Sequence, residues 1–201
     1  MSTLTSKTKN AGFDAMHWWI DAVGGYLTFA KSTIRIGHAG DERNDIPILA
    51  DISGFHAELR RGKSGIVLAA MADTEVNGKT GEAFLLRHGD KIRLKGVELT
   101  YHQPVPWSLT ARLELTSAHR LPLALDGIVL LGETCILGPR RDAHIHADWK
   151  SSVFVNWYQG RYWVRGPGKI TIDGRTFDGW GPVEPTSRVQ GAWGAFRWEP
   201  A

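Results

Sequence analysis

Ile34-Arg35-Ile36-Gly37-His38, a polar loop, Asn44-Asp45-Ile46-Pro47-Ile48-Leu49-Ala50-Asp51, then Ile52-Ser53-Gly54-Phe55-His56-Ala57-Glu58-Leu59: this stretch decides the fold. Three short apolar runs alternate with two loops that collect Gly, His, Arg, Asn, Asp and Ser. Ile34 and Ile36, then Ala57 and Leu59, alternate with the period of half-buried strands. A Gly that closes a strand before a polar loop is how a β-sandwich presents a binding surface at its end.

Outward from there the chain reads as strands and turns. Trp18 to Val23 reads as a strand, Gly24-Gly25 as a turn and Tyr26 to Phe29 as a second strand. Gly62-Lys63-Ser64-Gly65 closes a hairpin between Ala57-Arg60 and Ile66-Leu68, and Val76-Asn77-Gly78-Lys79 is a further turn. His88-Gly89-Asp90 precedes a strand from Lys91 to Leu94, and Lys95-Gly96 turns the chain into Val97 to His102. No segment of helical length shows a 3.6-residue apolar period, so the expected class is all-β.

The second half repeats the first. Gly25-Tyr26-Leu27 matches Gly127-Ile128-Val129, and Ile36-Gly37 matches Leu137-Gly138. Asp45 and Ala50-Asp51 match Asp142 and Ala147-Asp148, which makes the loop after Gly138 four residues shorter. Val76-Asn77-Gly78 matches Ile172-Asp173-Gly174, Gly96 matches Gly191, and Gln103-Pro104 matches Glu199-Pro200. Lys150-Ser151-Ser152-Val153 stands where the first half has Ser53-Gly54-Phe55-His56, and Val183-Glu184-Pro185 replaces the Gly89-Asp90 turn. Register held through so many landmarks implies two copies of one fold. The expected division is a disordered tail at 1–11, a first domain at 12–105 and a degenerate second domain at 106–201, joined at Pro104-Val105-Pro106.

The motifs of the first half resemble the forkhead-associated (FHA) family over roughly Trp18 to Pro104. Members carry Gly-Arg, Ser-Arg-x-His, Asn-Gly, Val-Asn-Gly and Gly-Asp in this order. Here Gly37-His38, Ser53-Gly54-Phe55-His56, Val76-Asn77-Gly78 and Gly89-Asp90 stand in their places. The resemblance implies two tandem FHA-like β-sandwich domains and a non-enzymatic role in protein recognition, with a phosphothreonine peptide as ligand. It places His38, Arg43, Ser53, Gly54 and Thr74 at the peptide-binding loops. Gly37, His56 and Asn77 become the residues that brace those loops. The ligand chemistry is plain: hydroxyl and backbone N–H groups donate to phosphate oxygens, and a cation adds charge-assisted bonds.

Three contacts implied by the family are altered. His38 replaces the Arg that forks onto phosphate, and an imidazole offers at most two donors where a guanidinium offers a permanently charged fork. Gly54 replaces a second Arg, and Ala72 lies where the family has Asn. Arg35, Arg43, Arg60 and Lys79 are the nearby cations that could compensate. Each lost charge-assisted bond costs about 1.5–3 kcal/mol, so binding is expected to be weak. A rival expectation is a structural or assembly protein whose loops have lost phosphate binding. A third is a Trp-rich carbohydrate-binding module, since Trp149, Trp157, Trp163, Trp180, Trp193 and Trp198 crowd the second half.

Composition bounds these readings. The 201 residues, 42% hydrophobic and 22% charged, supply two modest soluble cores. A net charge of +3 with no Lys/Arg block does not imply nucleic acid. Cys135 is the single cysteine, which excludes an internal disulfide and fits a reducing compartment. The first ten residues are polar and no later run reaches membrane-spanning length, so a cytoplasmic protein is expected. His144 and His146 sit two residues apart on one strand face, but no third ligand has metal-site spacing, and no cofactor or metal is expected. No Gly-x-Ser-x-Gly, phosphate-cradling loop before a helix, or paired-acid motif points to catalysis.

Overall fold

The computed structural model describes residues 13–201; the tail expected at 1–11 lies outside them. All regular structure among the described residues is β. The first half runs β1 Ala15–Ile20, β2 Gly24–Phe29, β3 Thr33–His38, β4 Ile46–Ile48, β5 Ala57–Gly62, β6 Gly65–Ala70, β7 Thr74–Val76, β8 Lys79–Thr80, β9 Ala83–Leu85, β10 Lys91–Leu94 and β11 Val97–His102. The second runs β12 Ala111–Leu115, β13 Gly127–Leu130, β14 Thr134–Gly138, β15 Ile145–His146, β16 Val153–Tyr158, β17 Arg161–Ile172, β18 Arg175–Val183, β19 Arg188–Gly191 and β20 Gly194–Pro200.

Five strands, in the order β4-β3-β5-β6-β9, form a small sheet; the other fifteen form one continuous sheet. Within the large sheet, β15-β14-β16-β17 with β18 reproduces the order of the small one. The two halves differ at one corner. In the first, Met71 to Asp73 break β6 from β7; in the second, β17 runs through, with a register shift between Arg165 and Lys169.

Hydrogen bonds recur between the halves and set their register. Asn77 N–H donates to Lys91 O at 2.8 Å, Lys91 N–H to Asn77 Oδ1 at 3.0 Å, and Asn77 Nδ2 to Asp90 Oδ1 at 2.8 Å. Arg87 N–H completes the set by donating to Asp90 Oδ2 at 2.7 Å. In the second half Asp173 N–H donates to Arg188 O at 3.0 Å, Arg188 N–H to Asp173 Oδ1 at 2.8 Å, and Ser187 Oγ to Asp173 Oδ2 at 2.7 Å. There Glu184 N–H donates to Ser187 Oγ at 2.9 Å. The counterpart of Asp90 is therefore Ser187, two residues beyond the Val183-Glu184-Pro185 stretch expected to replace its turn.

The long loop shows the same kind of shift. Asp45 takes Arg35 N–H on Oδ2 at 2.9 Å and gives its own N–H to Arg35 O at 3.0 Å. His144 does both for Ile136, taking its N–H on Nδ1 at 3.0 Å. His144, not Asp142, is thus the counterpart of Asp45, and the loop after Gly138 is two residues shorter rather than four. Likewise the Leu94↔Val97 turn answers to Gly191↔Gly194, which moves Gly96 off Gly191.

The expected boundary at 105/106 divides the sequence; the two cores are assembled across it. β1 pairs with β20, the last strand of the second half, and β12 pairs with β11, the last of the first. Each half's opening pair of strands therefore completes the other half. The first core takes Ala111, Leu113, Leu121, Ile128 and Leu130, and the second takes Phe13, Met16, Trp18 and Ile20. Between them β2 and β13 lie parallel, Tyr26 opposite Gly127 through Phe29 opposite Leu130. Leu27 and Phe29 face the first core while Tyr26 faces the second; on β13, Ile128 and Leu130 face the first and Val129 the second, as does Leu131 just after it. Burial on both sides removes the alternation that marks an ordinary half-buried strand.

Size decides which pair of strands fits where. Trp18 pairs with Trp198 on β1/β20, and Leu113 pairs with Tyr101 on β11/β12. Returning Trp18 to its own half would set it against Tyr101 in a space filled by Leu113. Overpacking of that kind costs about 1–3 kcal/mol. The turn from β1 to β2 is Asp21 to Val23, with Ala22 at φ 60°, so the expected Gly24-Gly25 turn is instead the start of β2. A Cβ on Gly25 would lie 2.4 Å from the Trp19 ring, so that position needs Gly for close approach.

Trp18, Trp193 and Trp198 are buried, and Trp149 and Trp157 pack against the second core. Trp163 and Trp180 stack on the surface, 4.5 Å between centroids, and Trp107 is exposed.

Leu113, Leu121, Ile128 and Leu130 are large apolar groups lent to the first core; at ~1.5–3 kcal/mol each they bring roughly 6–12 kcal/mol, comparable with a whole domain's stability. Residues 13–105 and 106–201, expressed separately, are expected to be unfolded or marginal alone and to form a 1:1 complex on mixing, read by circular dichroism and sedimentation. Two monomeric halves, each melting cooperatively near the temperature of the intact chain, would contradict the exchange.

Candidate functional site

The loops after β3 and after β4 meet at Gly37. A Cβ there would lie 2.0 Å from Gly54 O, so only Gly lets the two backbones touch. Asn44 staples the contact: it is buried, and its Nδ2 donates to His38 O at 3.1 Å and also to Gly54 O. His38 N–H donates to Ser53 O at 3.0 Å. Behind them His56 is buried, takes Ser53 N–H on Nδ1 at 3.2 Å, and sets Nε2 at 2.8 Å from Asp73 O. Accepting on Nδ1 puts the proton on Nε2, which donates to the carbonyl. Lys95 N–H donates to Asp73 O at 3.1 Å, tying this cluster to the β10–β11 turn.

The structure thus brings Gly37, His38, Ser53, Gly54 and His56 together by direct contact. Asn77 stands in a second cluster with Arg87, Asp90 and Lys91. Thr74, expected at the ligand surface, is buried, and its hydroxyl donates to Ala72 O at 2.9 Å. It holds its own loop and offers nothing outward.

Electrostatics at the tip run against an anion. Asp41 lies beside Gly54, its Oδ2 3.4 Å from where a Cβ would stand. It takes Arg43 as a two-pronged pair, Nε to Oδ1 at 2.8 Å and Nη2 to Oδ2 at 2.7 Å. That bond, with Arg43 N–H added, holds the Asp41 carboxyl down at about 2. The cation expected from Arg43 is therefore spent within its own loop. His38 is exposed, but its Nδ1 already accepts Gly40 N–H at 2.9 Å. Asp51, on the same surface, is held below the usual carboxylate range chiefly by Lys95 at 2.7 Å, with His38 adding a smaller pull.

Of the other compensating cations two are engaged, while Lys79 is exposed on β8. Arg35 lies 4.0 Å over the Phe55 ring, and Arg60 pairs with Glu58 at 2.5 Å. Asp41 and Asn44 are the two residues that sequence reasoning missed. The Asp41-x-Arg43 spacing was a readable signal for a local ion pair; a capping amide such as Asn44 leaves no pattern.

His144 and His146 part ways. His144 is buried with Nδ1 bonded to Ile136 N–H, while His146 is exposed. Burial pushes the His144 imidazole down to about 4, against a small upward pull from Asp142. No cluster of three or more His, Cys, Asp or Glu among the described residues is arranged to hold a metal. Nor is any helix among them long and apolar enough to cross a membrane. A cleft of about 910 Å³ lies away from these loops, between Lys63, Arg87 and Gln103 of the first half and Glu133, Arg140 and His144 of the second.

No family model matches this chain, and no curated protein matches it. Among solved structures it is similar to one named Rv0020c_FHA Structure, at 24% identity over 43% of this chain and 89% of that one, with a TM-score of 0.32.

Two outcomes check this geometry. His56→Ala removes the partners of Ser53 N–H and Asp73 O and is expected to cost about 1–3 kcal/mol in urea unfolding. His144, neutral when folded, binds a proton more readily when unfolded. Its stabilising share is present above the unfolded value of ~6.5 and is lost as pH falls toward about 4. The loss is on the order of 3 kcal/mol, and His144→Asn, which keeps an acceptor for Ile136 N–H, should flatten that slope.

Proposed function

We propose that the chain is a tandem pair of FHA-type units, the second degenerate, acting in protein recognition without catalysis in the cytoplasm. In this reading the first-half loop tip engages phosphothreonine peptides only weakly. One observation carries it: the Asp41 carboxylate sits at Gly54 and consumes Arg43. A phosphate brings close to two negative charges, and partial desolvation of that charge needs fixed positive partners. At this tip it meets a carboxylate, a paired guanidinium and an imidazole with one nitrogen already bonded.

The bracing by Asn44 and His56 supports a recognition surface that is preorganised, so that the barrier to binding is electrostatic and not conformational. A second reading, an assembly role with no phosphate recognition, is favoured by the exchange of β1–β2 and β12–β13, which makes one body of both halves.

Titration of a degenerate phosphothreonine peptide library against its unphosphorylated control separates the two. The expected result is weak, phosphate-dependent binding. Asp41→Asn with His38→Arg should strengthen it at least tenfold, and Ser53→Ala should abolish it. No phosphate dependence even in the Asp41→Asn/His38→Arg variant would favour the assembly role.

A further inference from the structure

Arg61 sits near the end of β5, where the halves meet. Its Nη1 donates to the O of Leu131, the residue after β13, at 2.7 Å. Its Nε and Nη2 are buried and have no partner among the described residues. These two nitrogens form the side-on fork of a guanidinium, the edge that grips two oxygens of one anion. Arg43, Arg93 and Arg140 all use that same Nε/Nη2 edge, on Asp41, Glu75 and Asp142. In Arg61 it faces no carboxylate.

The surroundings leave the charge uncompensated. A pocket of about 180 Å³ borders Arg61, walled by Ala30, Leu131, Trp157 and Tyr162, with Leu109 and Glu133 at its side. Burial pulls the guanidinium below its usual value, while nearby Tyr162 and Tyr101 favour its charged form only weakly. Both phenols are themselves pushed upward by burial and supply no negative charge at neutral pH. Tyr162 Oη already donates to Gly132 O at 3.3 Å. Glu133, the one acid in the wall, is exposed and forms no ion pair with Arg61. Residues 1–12 contain neither Asp nor Glu, so that segment has no side-chain carboxylate to offer. A buried cation with two unmet donors is costly unless an anion joins it.

We propose that Arg61 and this pocket form an oxyanion-binding site at the junction of the halves, taking a carboxylate or phosphate group through the Nε/Nη2 fork once the guanidinium, whose two fork nitrogens have almost no accessible surface in this structure, turns into the pocket. The volume suits a free phosphate or the charged end of a larger ligand. A larger ligand has a path, because Leu109 and Glu133 also wall the 910 Å³ cleft, where Lys63 and Arg87 add positive charge. The site shares no residue with the His38 and Ser53 loops.

The test is calorimetric melting of the full chain in inorganic phosphate at constant ionic strength. At a hundredfold excess over Kd the expected rise in Tm is roughly 5–10 °C, saturating with concentration. Arg61→Met, which keeps the apolar stem, should lose the rise; Glu133→Gln, at an exposed position, should reach it at lower phosphate. Ser53→Ala and His38→Arg should leave it unchanged, which separates this site from the loop tip. Should Arg61→Met fail to fold, the wild-type chain soaked in bromide decides, since an anomalous peak within hydrogen-bonding distance of Arg61 Nε is expected. A phosphorylated or acidic peptide that competes with phosphate assigns the oxyanion to a peptide; phosphate binding without such competition assigns it to the free ion. A rise that does not saturate, one that persists in Arg61→Met, or a bromide-free pocket would overturn the site.

Discussion

The molecule depends on the parallel pairing of β2 with β13. Parallel strands buried on both faces need apolar side chains in both directions, and Tyr26 to Phe29 and Ile128 to Leu131 supply them. Matched residues on the two strands face opposite cores: Leu27 the first, Val129 the second; Ile128 the first, Tyr26 the second. That is what a two-fold running along the strands requires. Once this pair is set at the centre, β1 falls beside β20 and β12 beside β11. The exchange of strands then follows from the central pairing, and the difference between Trp18 and Leu113 keeps it from reversing.

A second constraint is backbone satisfaction. A buried N–H needs an acceptor, but the acceptor's chemistry is free. Arg35 N–H is met by a carboxylate and Ile136 N–H by an imidazole nitrogen. The turn brace uses Asn77 with Asp90 in one half and Asp173 with Ser187 in the other. In the first case geometry is kept while charge changes; in the second the one carboxylate moves to the other side of the brace. The change has consequences: a carboxylate at Asp45 also holds Lys31, whereas a neutral His144 adds a proton-sensitive element to the second half.

These substitutions explain what was legible in the sequence and what was not. Strands and turns were legible, because alternation and Asn-Gly or Lys-Gly pairs report local conformation directly. Ile36-Gly37, Asn77-Gly78 and their counterparts were found for the same reason. Asp45 was matched to Asp142 by residue type, but the equivalence is one of hydrogen bonding, which residue type does not carry. The exchange was hidden because a strand reads alike whichever sheet it joins; only the size contrast of Trp18 and Leu113 hinted at it. At the loop tip the missing Arg positions were legible, and the carboxylate of Asp41 beside Gly54 was not, since it depends on how the loop folds back. Thr74 misled because its place in the motif says nothing about which way its hydroxyl turns.

Charge placement ties these levels together. The first-half tip cancels its own cation through a pair two residues apart, Asp41 with Arg43, and the second half repeats the device in Arg140 with Asp142. Pairs this short-range form within a loop whatever the rest of the fold does, so they neutralise a tip without constraining the body. Arg61 is placed by the opposite logic. Its position is set by long-range pairing, its one carbonyl partner comes from the other half, and the acid nearest in sequence, Glu58, lies on the opposite face of β5 and is taken by Arg60. A guanidinium neutralised within its own loop contributes little to an incoming anion. One held at a junction, desolvated and with its fork unoccupied, has most of its interaction energy still to give. On charge placement alone, an incoming anion is therefore better met where the two halves join than at the first-half loop tip.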